Sequence, residues 1–216
     1  MKKRIFVTAT NTDIGKTYTT IKLLEEYASR GLRVGAIKLV ETGVKNGVYP
    51  DGDLLLATLQ SLNPAFENFC VEDIVPISYE LPAAPYIASR GKALDFTLLN
   101  AAIEKIEAVS DIVVFEGAGG LFVPVDGNFM MIDLIQFFNA VGVLVTHCAL
   151  GCINDTLLSL QALQSRNIDA VMVFNCRENE EEDFSILSEP FFLHNDIEVL
   201  KVSKDIDTLC DVLYNF

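Results

Sequence analysis

Five short apolar runs, RIFVTA, RVGAIKLV, DIVVFE, VGVLVTHCAL and IDAVMVFN, recur along the chain with little polar alternation inside them. Side chains on a strand point alternately to its two faces, so a strand that is apolar throughout has to be covered on both. The intervening segments carry helical spacing instead: Ile21, Leu24 and Ala28 share one face of GKTYTTIKLLEEYASRG, with Gly31 as its stop, and Leu99, Ala102, Ile103 and Ile106 share one face of LDFTLLNAAIEKIEAV. MIDLIQFFNA and INDTLLSLQALQSRN read as two further helices, IEVLKVS as a C-terminal strand and DIDTLCDVLYN as a short last helix. This alternation predicts an α/β fold, a mainly parallel sheet with helices on both faces. The 216 residues, half of them hydrophobic, suit one large core, so residues 1–216 are read as a single domain.

Two segments interrupt the rhythm: ETGVKNGVYPDGD after the second strand, and ISYELPAAPYIASRG before the long middle helix. Both adjoin strand ends, which makes them candidates for functional loops. The acidic block in NCRENEEEDF reads as a solvated segment. A net charge of −14 opposes association with nucleic acid or an anionic membrane, so any phosphate ligand must be held by local geometry. No window approaches the ~18 apolar residues of a membrane span, and the start lacks the pattern of a secretion signal, which predicts a cytoplasmic protein. Cys70, Cys148, Cys152, Cys176 and Cys210 are odd in number and form no C-x-x-C pair, as expected of reduced, mostly buried thiols. His147, Cys148 and Cys152 lack a fourth ligand at a familiar spacing, which argues against zinc.

The chemistry concentrates in TATNTDIGKT, residues 8–17, between the first strand and the first helix. A strand, a turn ending in Gly-Lys-Thr and a helix make a phosphate-binding loop, whose N–H groups converge on anionic oxygens at the positive end of the helix dipole. Asp13, Ile14, Gly15, Lys16, Thr17 and Tyr18 are the expected nucleotide contacts, with Lys16 on the β- and γ-phosphates and the Thr17 hydroxyl on Mg²⁺. The fold expectation sharpens to a P-loop NTPase-like domain, although Thr10 stands where the usual pattern has its first glycine. Ligands of such sheets gather at the carboxyl ends of the strands. Lys38 closes the second strand there, and it is expected on a strand neighbouring the one that leads to Lys16, where two cations would repel without an anion between them. Glu116, followed by glycines, suits a nucleotide-held Mg²⁺, with Asp53 as a third oxygen ligand beside Thr17.

TATNTDIGKT, IKLVETG, EGAGG, LGCIN and VFN, in this order, closely resemble the dethiobiotin synthetase family over residues 1 to about 176. The resemblance implies an enzyme that joins 7,8-diaminononanoate, CO₂ or bicarbonate, and MgATP into a cyclic urea, through a carbamate and a carbamic-phosphoric anhydride. It implies that Thr12, Lys16 and Lys38 are catalytic, that Thr12, Lys38, Thr42 and Gly119 contact the diamine and its carbamate, and that Asn175 reads the base. Leu150, Gly151, Cys152 and Asn154 would hold the substrate carboxylate from a second subunit, in a homodimer with its sites at the interface. The chain departs from the family pattern at several places: Ala9 for glycine, Asp13 for glutamate, Leu39 for proline, Tyr86 for histidine, and an added acid at Glu41. IEVLKVSKDID stands where the family has a segment against the base, which predicts relaxed selectivity for adenine. The rival is an ATPase switch of the deviant P-loop, partitioning type; such proteins carry a second lysine where this chain has Asn11.

Overall fold

A computed structural model describes residues 2–216. Seven strands run in chain order as β1 (Lys3–Ala9), β2 (Val34–Lys38), β3 (Glu41–Thr42), β4 (Ser78–Tyr79), β5 (Ile112–Gly120), β6 (Val141–His147) and β7 (Ala170–Asn175). The α-helices are α1 (Lys16–Ser29), α2 (Gly52–Leu62), α3 (Val71–Ile74), α4 (Pro85–Ala88), α5 (Phe96–Ala108), α6 (Met131–Phe137), α7 (Cys152–Ser165), α8 (Glu181–Leu187), α9 (Glu189–His194) and α10 (Ile206–Tyr214). The main sheet has the order β2-β5-β1-β6-β7 and every pairing in it is parallel. Ile5 to Ala9 of β1 and all of β2 are buried at successive positions, so both faces of the sheet are covered, as the unalternating sequence demands. No described helix is long and apolar enough to cross a membrane.

The strand order corrects one expectation. β1 and β2 are not neighbours, because β5 lies between them, pairing Val7 with Glu116 on one side and Lys38 with Glu116 on the other. The anion that two nearby lysines require is thus supplied by the protein itself. Past Glu116 the register with β1 shifts, Ala9 opposing Gly120, and the intervening Gly117–Gly119 bulge towards the loop after β1.

Three other local readings change. IEVLKVS forms no strand: Phe174 donates to Leu200 and Val202 donates to Phe174, and the segment then leaves the sheet after this single bridge. The acidic stretch after β7 runs into α8, because Phe184 supplies a buried anchor beside Phe174 and Phe192. ETGVKNGVYPDGD is largely ordered: β3 pairs with β4, Lys45 and Val48 exchange backbone hydrogen bonds around Asn46 and Gly47, and α2 starts at Gly52.

The cysteine expectation also fails in part. Cys148 and Cys176 form a disulfide at the ends of β6 and β7, directly beyond the His147–Asn175 pair, with a Cα–Cα distance of 4.9 Å. Cys152 and Cys210 are buried thiols, while Cys70 is exposed.

Candidate functional site

Thr10 to Gly15 join β1 to α1, and the turn depends on backbone that ordinary residues avoid. Gly15, the residue preceding α1, has φ 96°, and a Cβ there would lie 2.0 Å from Asn175 Nδ2. Glycine is therefore required twice over, by conformation and by contact. Asn175 Nδ2 donates to the Ile14 carbonyl at 2.9 Å, tying the end of β7 to this loop. Lys16 opens the helix, 7 % exposed, with Nζ 3.3 Å from the Asn11 carbonyl. Burial, with nearby Lys38 second, depresses its pKa to about 8, against the pull of Glu116 and Asp51.

The neighbouring cluster is compact. Lys38, 3 % exposed at the end of β2, donates to Asp51 Oδ2 at 2.6 Å and to Glu116 Oε1 at 2.7 Å. Thr17 Oγ1 lies 2.8 Å from both Asp51 Oδ1 and Glu116 Oε1. Burial works to strip the Lys38 proton, but the two carboxylates outweigh it and hold the ammonium above the ordinary lysine value. Asp51 resists its own desolvation through the same pair and is held below the usual carboxylate range. Glu41, 2 % exposed, turns away from the lysines and accepts from Asp51 N at 2.7 Å and Gly52 N at 3.0 Å; burial pushes its carboxyl up.

A cavity of about 730 Å³ is lined by Thr12, Asp13, Gly15, Lys16, Thr17, Lys38, Glu41, Thr42, Asp51 and Gly119, with Pro82 to Pro85 across from them. The bulged Gly119 abuts Thr12, since a Cβ there would lie 3.5 Å from Thr12 Oγ1. Asp53 does not join the cluster: its Oδ2 accepts from Tyr49 N at 2.9 Å, and Asp51 takes the position facing Thr17. The two acids of PDGD are two residues apart, and only the start of α2 decides between them. Tyr18 is exposed, with Lys22 5.8 Å from its ring centre, and it does not line the cavity. Leu150 and Gly151, in the β6–α7 turn, and Asn154, in the first turn of α7, lie outside the cavity, with Leu150 92 % exposed. Cys152 faces an apolar cluster with Cys148, Phe174 and Phe184, so its side chain is packing.

The donor set suits a divalent cation. A hydroxyl and two carboxylates converge, and Glu116 Oε2 is buried with no hydrogen-bond partner. Among the described residues no three His, Cys, Asp or Glu side chains gather as a metal site, so such a cation would complete its shell with nucleotide oxygens and water, as Mg²⁺ commonly does.

A family model described as an AAA domain matches residues 3–211. The ATP-dependent dethiobiotin synthetase of Sulfurovum sp. (strain NBC37-1) is 43% identical over 188 residues, covering 87% of this chain and 89% of its own. That of Wolinella succinogenes is 35% identical over 213 residues, covering 98% of each chain. Among solved structures, a plasmid partition protein from Borrelia burgdorferi superposes with a TM-score of 0.54 at 12% identity, covering 99% of this chain and 96% of its own, a likeness of fold alone.

Proposed function

Because the chain belongs to the ATP-dependent dethiobiotin synthetase family, we propose that it carboxylates 7,8-diaminononanoate with CO₂ and closes the cyclic urea while converting ATP to ADP and phosphate. The observation that carries this reading is Lys38: a buried ammonium on the wall of the same cavity that the phosphate loop lines. The deviant P-loop switches place their second lysine in the loop itself, where this chain has Asn11; Lys38 instead comes from the end of β2, across the cavity floor from the loop, where it can meet a carbamate.

One amine of the substrate attacks CO₂, forming a C–N bond and releasing a proton. The resulting carbamate is an anion, and Lys38, kept charged by Glu116 and Asp51, stabilises it where it can meet the γ-phosphoryl group. Lys16 and the loop N–H groups hold the phosphates. A carbamate oxygen then attacks phosphorus and ADP leaves; the second amine attacks the carbonyl carbon and phosphate leaves. Ring closure is intramolecular, so positioning by Thr12, Thr42 and Gly119 supplies much of the acceleration. Thr17, Asp51 and Glu116 fit a Mg²⁺ ion, which when bound would neutralise charge on the β- and γ-phosphate oxygens. Asn175, anchored on the loop carbonyl, is the candidate for the base. Leu150, Gly151 and Asn154 are exposed and line no part of their own cavity, which supports a homodimer in which that turn meets the substrate carboxylate of the other subunit.

The test is carbon-13 bicarbonate with the diamine and MgATP. The label should enter a ureido carbonyl, with one ADP per ring. ATP hydrolysis at the same rate with and without the diamine would replace this reading by the nucleotide switch.

A further inference from the structure

Asp51 immediately precedes α2, the position where an aspartate ordinarily turns its carboxylate back onto the helix N–H groups. Asp95, before α5, does this and accepts from Leu98 N at 3.0 Å. The Asp51 side chain makes no such bond, and its two oxygens go to Thr17 and Lys38. The capping is done by another residue. Glu41 reaches from β3 with both oxygens, Oε1 on Asp51 N at 2.7 Å and Oε2 on Gly52 N at 3.0 Å. Its negative charge also opposes the positive end of α2.

We infer that Glu41 is a positioning residue for the metal-facing carboxylate: by capping α2 in place of Asp51 it frees that side chain for the cavity. Two further features support this. Glu41 is buried at the foot of the cavity, yet it forms no ion pair with Lys38 or Lys16, so its charge is spent on backbone alone. Gly52 completes the fit, since a Cβ there would lie 2.9 Å from Glu41 Oε2 and 2.5 Å from Val75 Cγ2. An acid that looks harmful beside an anion site is therefore directed away from it. The same device accounts for the choice of Asp51 over Asp53: the residue whose backbone Glu41 holds is the one whose carboxylate is released.

This inference rests on the synthetase reading only for the identity of the nucleotide and metal. Mn²⁺ binding to the ADP-loaded protein, followed by electron paramagnetic resonance, measures the site without turnover. Glu41→Gln exchanges one accepting oxygen for an amide that cannot accept, and should weaken Mn²⁺ about tenfold, the usual effect of losing a partner behind a metal ligand. Asp95→Ala, which removes a cap remote from the site, should lower Tm comparably and leave Mn²⁺ affinity unchanged. Should Glu41→Gln fail to fold, Gly52→Ala displaces the same carboxylate and should shift Mn²⁺ affinity in the same direction. Unaltered Mn²⁺ affinity in the folded Glu41 or Gly52 variant, with only Tm lowered, would overturn the inference and leave Glu41 a structural cap. A wild-type protein that binds Mn²⁺ and ADP normally but forms no cyclic urea would sink the synthetase reading and leave this inference standing.

Discussion

Nucleotide affinity should fall with rising pH, because of Lys16. Its pKa drops from 10.5 to about 8 in the folded chain, a loss of about 3 kcal/mol in preference for the charged form, caused by burial and then by Lys38. A phosphate placed against Nζ restores the charge, so binding should take up a proton wherever the free lysine has lost one. The sign follows: the free protein holds the proton below pH 8 and releases it above, and affinity weakens as pH rises through that value. With a free pKa near 8 and a phosphate-paired lysine that stays charged at both pH values, roughly nine-tenths of the free sites are charged at pH 7 and about one in eleven at pH 9, a loss of roughly tenfold in affinity. Lys38 should contribute nothing to this profile, since Glu116 and Asp51 keep it protonated throughout. Calorimetry of ADP without metal, at both pH values and in buffers of different ionisation enthalpy, gives the affinity and the proton count together. Near-complete uptake of one proton at pH 9 is expected in the wild type and none in Lys16→Arg. Equal affinities at pH 7 and 9 with no proton uptake would refute the reasoning.

Lys38→Ala should abolish urea formation while changing nucleotide affinity by less than about threefold; equal loss of both would assign Lys38 to the phosphates. Asp51→Asn should reduce turnover by at least about a hundredfold at fixed Mg²⁺, whereas Asp53→Asn should retain turnover and lower stability by about 1 kcal/mol, the worth of its bond to Tyr49 N; steady-state kinetics and urea melts separate the two. Thiol titration of the denatured, unreduced chain should count Cys70, Cys152 and Cys210 and no more. Reducing the Cys148–Cys176 bond, with a sequence separation of 28, should lower stability by roughly 3–4 kcal/mol on the loop-entropy model, measured as a shift in urea midpoint.

What could be read from the sequence was whatever a single strand or turn decides alone. RIFVTA, the Gly15-Lys16-Thr17 turn and the acid closing DIVVFE each carry their structure within about ten residues, and the sheet then brings them to one edge. That Asp51 rather than Asp53 faces Thr17 and Lys38 was not legible, because the backbone at the start of α2 is bonded to Glu41, a residue on a separate strand. Nor was the disulfide, whose halves meet only because β6 and β7 pair in register. IEVLKVS has the apolar content of a strand, but sheet pairing stops after one bridge to Phe174, and no local property of those residues announces that.

The insertion of β5 between β1 and β2 sets Glu116 against Lys38 and within electrostatic reach of Lys16 at the start of α1. An engineer seeking tighter phosphate capture would be tempted to neutralise the acid. Doing so would leave Lys38 to Asp51 alone and remove a carboxylate that helps hold the Lys16 charge, and the more weakly held proton, on Lys16, would depart first. The affinity sought would be cancelled by the charge lost, so these three positions can be redesigned only as a set.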